Sequence, residues 1–119
     1  QGRDLRDRTK QFALRVIRLY GALPGSTEAQ VIGKQMLRSG TSVAANYREA
    51  SRARSDAEFL AKLGIVEQEL DETLLWFGLL IESSIVSAAQ LTPLHSEADE
   101  LLRIIVTSIK TAKSKRDRS

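Results

Sequence analysis

The sequence predicts an all-α protein, namely an antiparallel up-down-up-down four-helix bundle that self-associates. Apolar residues recur along four segments at alternating spacings of four and three residues, which keeps them on one face of a helix. No segment shows the strict alternation of apolar and polar residues that is typical of a β-strand. The connections between the segments are short, and short connections favour antiparallel neighbours in a bundle.

The chain is expected to form a single domain, since 119 residues are enough to bury one core. Extra apolar residues widen the third and fourth helical stripes beyond what one four-helix core needs, and this favours a homo-oligomer. The predicted domain spans 1–119, with helices at about 4–20, 27–53, 56–82 and 88–112 and a basic, frayed tail at 113–119.

The first helix is predicted to end near Gly21, which can supply a C-cap, and the following Pro24-Gly25 pair prevents its continuation. Either Ser26 or Thr27 caps the second helix, because both side chains can accept a hydrogen bond from the first helical turn. The core stripe of the first helix consists of Leu5, Thr9, Phe12, Val16, Leu19 and Tyr20.

The second helix carries two seams that lie side by side on its surface. One seam is apolar and the other, offset by one residue, is polar, and both keep the helical spacing. The apolar seam consists of Ile32, Met36, Gly40, Val43, Tyr47 and Ala50.

The polar seam is either a packing device or a site. We favour a satisfied polar core network that fixes the helix register, because buried polar groups must be paired and thereby specify one arrangement. A metal site made of hard oxygen ligands alone would be weak in this setting. With Arg38 as a partner for carboxylates, the predicted network consists of Gln35, Arg38, Ser39, Ser42, Asn46, Glu49, Glu69 and Glu72.

Capping signals open the third and fourth helices. Ser55 and Glu58 form a capping box before the third helix. The fourth helix begins either at Ser87 or at Thr92, which Pro93 follows in a favoured first-turn position, and the sequence leaves both starts open. The core stripes are Phe59, Leu63, Val66, Leu70, Thr73, Phe77 and Leu80 in the third helix, and Leu91, Leu94, Ala98, Leu101, Ile105, Ser108 and Ala112 in the fourth.

The net charge of +3 is distributed unevenly along the chain. Residues 55–100 contain one Lys or Arg against ten Asp or Glu, whereas residues 101–119 contain six against one. Residues 1–24 and 25–54 are also basic, with six against two and five against two. We therefore expect opposed charged faces, or basic helices that the acidic helix partly neutralises.

The composition argues against several kinds of catalytic or metal site. The chain has no cysteine, and His95 is its only histidine. A di-iron bundle needs two Glu-x-x-His motifs, and thiolate metal sites and cysteine nucleophiles need cysteine. No glycine-rich phosphate loop is present. We therefore expect a protein that is not an enzyme and that binds no metal and no cofactor.

The sequence gives no indication of a membrane partner. Its longest apolar run, residues 74–81, is far shorter than the roughly 20 residues that span a bilayer. The first residues are charged, and no apolar run of the kind found in a secretory leader follows them. Together with the lack of cysteine, which fits a reducing compartment, this favours a cytoplasmic location.

The second and third helices carry motifs of a known family. The segments QMLRSGTSVAANYREASRARS and SDAEFLAKLGIVEQELDETLLWFGLL resemble the four-helix-bundle family of 23S rRNA intervening-sequence proteins, and the resemblance covers about residues 5–112. The chain departs from the family pattern at Ala50, where glycine is common, and at Arg48, where a small residue is usual. The matching residues are Gln35, Arg38, Ser39, Ser42, Val43, Asn46, Glu49, Ser55, Glu58, Phe59, Glu69, Glu72 and Thr73.

The resemblance implies self-association and nucleic-acid binding. Members of the family are encoded partly within insertions in 23S rRNA genes and partly elsewhere in bacterial genomes. The family is similar to the accessory proteins of diversity-generating retroelements, which form pentameric barrels with a basic surface and bind nucleic acid and a reverse transcriptase. By this resemblance the expected partners are further copies of the chain, with a pentamer as one form, RNA or DNA, and a protein such as a reverse transcriptase.

The basic residues are candidates for contacts with nucleic-acid phosphates, which would be electrostatic and only weakly sequence-specific. The alternative is a solvated surface that is partly paired with the acidic third helix. Few aromatic residues are expected on the surface for base stacking, which weighs against binding specific for single strands. The candidates are Arg3, Arg6, Arg8, Lys10, Arg15, Arg18, Arg48, Arg52, Arg54, Lys110, Lys113, Lys115 and Arg116.

The leading functional hypothesis is a non-enzymatic oligomeric accessory protein that binds RNA or DNA through these basic surfaces. The alternative is a protein-binding scaffold without a nucleic-acid role, in which the acidic third helix or its apolar flank docks a partner.

Overall fold

The computed structural model describes residues 2–118, and it describes side chains for residues 4–118. The chain forms four helices, so the predicted all-α fold class with four helices is confirmed, and no strand occurs within residues 2–118. None of the four is both long enough and apolar enough to cross a membrane. The helices are α1 (Gly2–Gly21), α2 (Thr27–Ala50), α3 (Asp56–Glu82) and α4 (Ala88–Arg118).

Serine side chains cap the starts of α2 and α3. The Ser26 hydroxyl accepts a hydrogen bond from the Ala29 amide at 3.3 Å, so Ser26 is the cap of α2. The Ser55 hydroxyl accepts from the Glu58 amide at 3.1 Å, and the Glu58 carboxylate accepts from the Arg54 amide at 2.9 Å. The second bond goes to the residue before the cap, so the box at α3 is one residue wider than the standard form.

The start of α4 follows the first of the two open alternatives. The Ser87 hydroxyl accepts a hydrogen bond from the Gln90 amide at 3.1 Å, and α4 begins at Ala88. Pro93 therefore lies inside the helix and not at its first position. The hydroxyl of Thr92, which would have been the alternative cap, donates back to the Ala88 carbonyl at 2.6 Å.

Two helix ends differ from the sequence-based expectation. α2 ends at Ala50, three residues before the predicted end at residue 53, because Ser55 must be extended (φ −149°) to cap α3 and the chain has to turn before it. The segment predicted as a frayed tail at 113–119 is helical as far as Arg118. Lys and Arg are good helix formers, and their positive charges interact favourably with the carboxyl end of the helix dipole.

The core lies along the centre of the bundle and contains the predicted stripes of all four helices. Phe12 and Phe77 meet edge to face, with ring centroids 6.4 Å apart. Phe59, Ser108 and Ala112, at the ends of the predicted stripes of α3 and α4, are only half-buried. The largest fully buried side chains are Phe12, Phe77, Met36, Leu63, Leu70, Leu80, Leu91, Leu101, Ile105, Val16, Val43 and Val66.

Each helix contacts the next one along the chain, and α1 also contacts α4, where the contact is the smallest of the four. The contacts of α2 with α1 run in opposite sequence directions, since Tyr20 bonds to Gln30 while Val16 lies against Gly40. Ion pairs give the same order for α2 and α3: Arg38 reaches residue 72, whereas Glu49 reaches residue 62. In both pairs, therefore, the end of one helix lies beside the start of the next one.

A close approach of α1 and α2 involves Gly40. A β-carbon at this position would lie 2.9 Å from both γ-methyl groups of Val16, which is inside van der Waals contact. Val16 is itself fully buried, so it has little room to move away. The missing side chain of Gly40 therefore sets the distance between α1 and α2.

We predict that Gly40→Ala destabilises the protein by about 1–3 kcal/mol, because the added methyl group overpacks the α1–α2 contact. Gly64→Ala is the matched control: Gly64 lies within α3, and a β-carbon there would meet no atom within 4 Å. That variant should be more stable by about 0.5–1 kcal/mol, since alanine favours the helix. Urea unfolding measures both changes, and equal stability of the two variants would contradict the close approach.

Candidate nucleic-acid interface

The first residues of α1, the last residues of α2 and the last third of α4 lie at the same end of the bundle. Leu5, Tyr47, Phe59 and Ser108, one from each helix, line a common groove of about 510 Å³. Most of the predicted phosphate contacts belong to these helix ends. We call this region the basic end, and its cationic residues are Arg6, Arg48, Arg52, Arg54, Arg103, Lys110, Lys113, Lys115, Arg116 and Arg118.

Most cations of the basic end are exposed and form no ion pair with any carboxylate that the structure describes. Within residues 4–118, no ion pair involves the side chains of Arg6, Arg48, Arg52, Arg54 or Arg103. Two residues near the end of α4 differ from them. Arg116 lies 3.6 Å from the Asp117 carboxylate, and Arg118 donates a hydrogen bond to the Ser114 hydroxyl at 3.2 Å.

A second and larger groove of about 730 Å³ runs between the start of α3 and the last third of α4. It shares Asp56, Phe59 and Ser108 with the smaller groove, so the two grooves are continuous. Arg103 and Lys115 also line the larger groove. Arg103 was absent from the sequence-based candidates, although residues 103, 107 and 110 keep the spacing of four and three that marks one helix face.

Tyr47 forms part of the inner wall of the smaller groove. Burial raises the pKa of the Tyr47 hydroxyl, and the positive charge of Arg6 acts in the opposite direction. Arg6 therefore interacts electrostatically with Tyr47 at the wall of the groove. The hydroxyl stays neutral at physiological pH, so the groove gains no negative charge from it.

Arg8, one of the predicted phosphate contacts, is paired with carboxylates within the fold. Its guanidinium donates to both carboxylate oxygens of Glu97, at 3.2 and 2.9 Å, and to Glu100 at 3.0 Å. The hydrogen bond to Glu97 is the main reason that the pKa of Arg8 is raised. The side chains of Arg8 and Glu97 are only 27% and 20% exposed, and the pair connects α1 to α4.

The remaining predicted contacts on α1 lie away from the basic end or outside the described side chains. Arg15 is half-buried and Arg18 is exposed, and both lie towards the opposite end of α1. Lys10 is exposed between these two regions. The side chain of Arg3 lies outside the part of the chain that the structure describes.

The residues of the predicted polar core network lie mostly outside the core. Of its eight residues only Ser39 is buried, and the others lie along the edge of the α2–α3 contact. Arg38 forms ion pairs with Glu69 at 3.5 Å and with Glu72 at 2.9 Å, while Glu49 pairs with Lys62. The Asn46 amide donates to the carbonyl of residue 42 in its own helix, and Gln35 is exposed. A seam one position away from the core stripe lies at the edge of the contact, where long side chains reach solvent.

The buried part of the seam is a hydroxyl pair between α2 and α3. The hydroxyl oxygens of Ser39 and Thr73 are 2.7 Å apart, and both residues are fully buried. The Thr73 hydroxyl also lies 2.7 Å from the Glu69 carbonyl and the Ser39 hydroxyl lies 3.3 Å from the Met36 carbonyl, so either hydroxyl can be the donor in the pair. This pair fixes one register of α3 on α2, which is the role that the sequence assigned to the whole network.

Carboxylates and histidine do not gather into a metal-binding cluster in the described part of the chain, since no group of three or more such side chains lies close enough together. His95 lies on α4, with its Nδ1 atom 3.3 Å from the Asp99 carboxylate and its ring 6.3 Å from that of Phe77. The basic end places exposed cations beside grooves that mix polar and apolar side chains, an arrangement that is suited to bind an anion with an apolar part.

Comparisons with known proteins agree with this fold. A family model described as "23S rRNA-intervening sequence protein" matches residues 4–107. A crystal structure of a protein of unknown function from the S23 ribosomal protein family of Bacteroides thetaiotaomicron is 36% identical, with a TM-score of 0.86. The alignment covers 92% of this chain and 97% of that one. A search of curated proteins found no match.

The hydroxyl pair allows a double-mutant test of register. We predict that Ser39→Ala and Thr73→Val each lower the free energy of unfolding by about 1 kcal/mol, because each removes one side of a buried hydrogen bond. The double variant should lose less than the sum of the two, since no hydroxyl is then left without its partner. Ser96→Ala, at an exposed position of α4, is the control and should change stability by less than about 0.5 kcal/mol. Strict additivity would show that the two hydroxyls do not interact.

Proposed function

The chain belongs to the 23S rRNA-intervening sequence protein family, and on that premise we propose that it is a non-enzymatic, oligomeric accessory protein that binds RNA or DNA through its basic end. The binding is electrostatic and depends weakly on sequence, because it uses phosphates and not base edges. A cytoplasmic location belongs to the same proposal, as does a protein partner such as a reverse transcriptase.

One observation supports the proposal most directly: the acidic residues of the chain neutralise its middle and leave one end basic. Arg8, Arg38 and Lys62 have carboxylate partners along the length of the bundle. The cations at this end of the bundle that line the two grooves are Arg54, Arg103 and Lys115. Ion pairs within the fold would be expected at Arg54 and Arg103 too if the charges served only stability.

Self-association of the antiparallel bundle, with a pentamer as the family resemblance implies, is the second part of the proposal. Leu75 and Leu79 of α3 are 54% and 38% exposed, which is unusual for leucines one turn apart on the same helix face. Burying this pair against another copy would remove apolar surface from water. Oligomerisation would also bring several basic ends together and raise the affinity for a polyanion through avidity.

The scaffold alternative is supported by a different surface. A groove of about 360 Å³ between α3 and α4 combines the acidic Glu67 and Asp71 with the apolar Leu102 and Val106. Its charge repels nucleic acid and suits a basic, apolar segment of a protein. Capture of a protein from lysate that survives nuclease treatment, together with no binding to purified nucleic acid, would favour this alternative.

We predict that Arg52→Gln/Arg54→Gln weakens binding to a fluorescent nucleic acid by about tenfold at about 50 mM salt. The slope of log affinity against log salt concentration should fall by about two, because two phosphate contacts are lost. Fluorescence anisotropy over a salt series measures both quantities.

Arg18→Gln/Lys34→Gln removes the same charge from exposed positions away from the basic end and is the matched control. It should change the affinity by less than about twofold, because the molecule is 53 Å long and charges act over a Debye length of about 10 Å. Equal losses in both variants would contradict binding at the basic end. Absence of binding by the unaltered protein at low salt would contradict the proposed function itself.

We further predict that Leu75→Glu lowers the mass measured by light scattering from about five times the 13.2 kDa of the chain towards that of a monomer. Ser96→Glu adds the same charge to an exposed position of α4 and should leave the mass unchanged. A single-chain mass for the unaltered protein would contradict self-association, and an unchanged mass for Leu75→Glu would show that another face is used.

A further inference from the structure

We propose that the groove at the basic end binds an unpaired nucleotide of single-stranded RNA or DNA, with its base stacked on Phe59 and its phosphates on the basic rim. This inference rests on the proposed function and adds to it the class of nucleic acid that is preferred. It also departs from the sequence-based expectation that few aromatic residues lie on the surface for base stacking, which weighed against binding specific for single strands.

Phe59 differs from the rest of the α3 core stripe. The stripe residues that follow it, including Leu63, Val66 and Leu70, are fully buried, whereas Phe59 is only half-buried. Its side chain lines both grooves at the basic end. A partly exposed aromatic ring in a groove can stack with any of the bases, and such stacking tolerates all sequences.

The groove also has groups that suit a phosphate backbone. Arg54 lines the smaller groove, and Arg103 and Lys115 line the larger one. The hydroxyls of Ser108 and Thr111 lie on the same wall of α4 and can donate hydrogen bonds to phosphate oxygens. Cations beside apolar side chains are complementary to a nucleotide, which combines an anionic backbone with an apolar, stackable base.

Two carboxylates line the larger groove and have to be accounted for. Glu100 accepts a hydrogen bond from Arg8 at 3.0 Å, but Arg8 also pairs with Glu97, so one positive charge is shared between two carboxylates. Asp56, in the first turn of α3, is exposed and lines both grooves. Asp56 therefore opposes an anion, and its removal should strengthen binding.

The groove favours an unpaired nucleotide over a duplex. In a duplex each base is paired and stacked inside the helix, so its face cannot reach a ring at the floor of a groove. The larger groove, at about 730 Å³, is within the range of sites that enclose small ligands and can admit one or two nucleotides. A duplex can contact only the basic rim.

The test compares a single strand with a duplex of the same length. Oligo(dT) and oligo(rU) of about 12 nucleotides, and a mixed-sequence duplex, are titrated with the intact protein at about 50 mM salt. We expect the protein to bind at least one of the single strands about five- to a hundredfold more tightly than the duplex, which is the range that stacking of one base provides. The two oligonucleotides distinguish DNA from RNA as the preferred strand.

Phe59→Leu keeps an apolar side chain at this position but removes the π-face, so the fold should persist, which circular dichroism verifies. It should reduce the preference for single strands to near unity and leave duplex binding unchanged. Phe59→Trp should retain the preference, and its indole fluorescence should be quenched by a stacked base. Asp56→Asn should raise the affinity for single strands by a few-fold.

The outcomes separate this inference from the proposed function. Binding of duplex and single strands with equal affinity, or an unchanged preference in Phe59→Leu, would overturn stacking at Phe59 while leaving nucleic-acid binding intact. Absence of binding to all three probes would overturn both. A lower affinity of Asp56→Asn for single strands would show that the strand does not enter this groove.

Discussion

The structure depends on how closely α1 and α3 can approach α2. Ser39 and Gly40 are adjacent, small and buried, yet they face different helices. Gly40 lies against Val16 of α1, and Ser39 hydrogen-bonds to Thr73 of α3. The small side chains permit close packing on both sides of α2, and the hydroxyl pair selects one register. Both contacts lie near the middle of α2, and from there they fix the positions of α1 and α3 relative to α2.

The register of the middle decides which residues meet at each end. The end of α2, the start of α1 and the last third of α4 are all basic, and the fold brings them to one end. Four acidic residues of α3 and α4 instead pair with Arg8 and Arg38, namely Glu69, Glu72, Glu97 and Glu100. A sequence with a modest net charge of +3 thus produces a protein with a strongly uneven charge distribution, which matters more for a polyanion than the net value.

Much of the fold follows from local patterns, because the core periodicity and the caps at Ser26 and Ser55 depend on residues within one or two turns. The distance between helices depends on residues that are far apart in the sequence. The sequence-based predictions therefore differ from the structure where that distance decides which side chains are buried or paired. Arg38 and Ser39 are neighbours in one seam, yet only Ser39 is buried. Arg8 and Glu97 are 89 residues apart, so no sequence spacing indicates that this arginine is engaged within the fold. The grooves at the basic end likewise depend on where four helix ends lie.

The environment of Phe59 connects the fold to the proposed function. The core stripe of α3 continues to Phe59, but this ring is only partly covered and lines both grooves at the basic end. A second copy placed symmetrically on this end would bring like charges together, which opposes a two-fold contact there. Association through the exposed leucines of α3 leaves the basic end accessible. The ring and its cations are then available to a ligand that carries both negative charge and an apolar face, and a nucleotide has both.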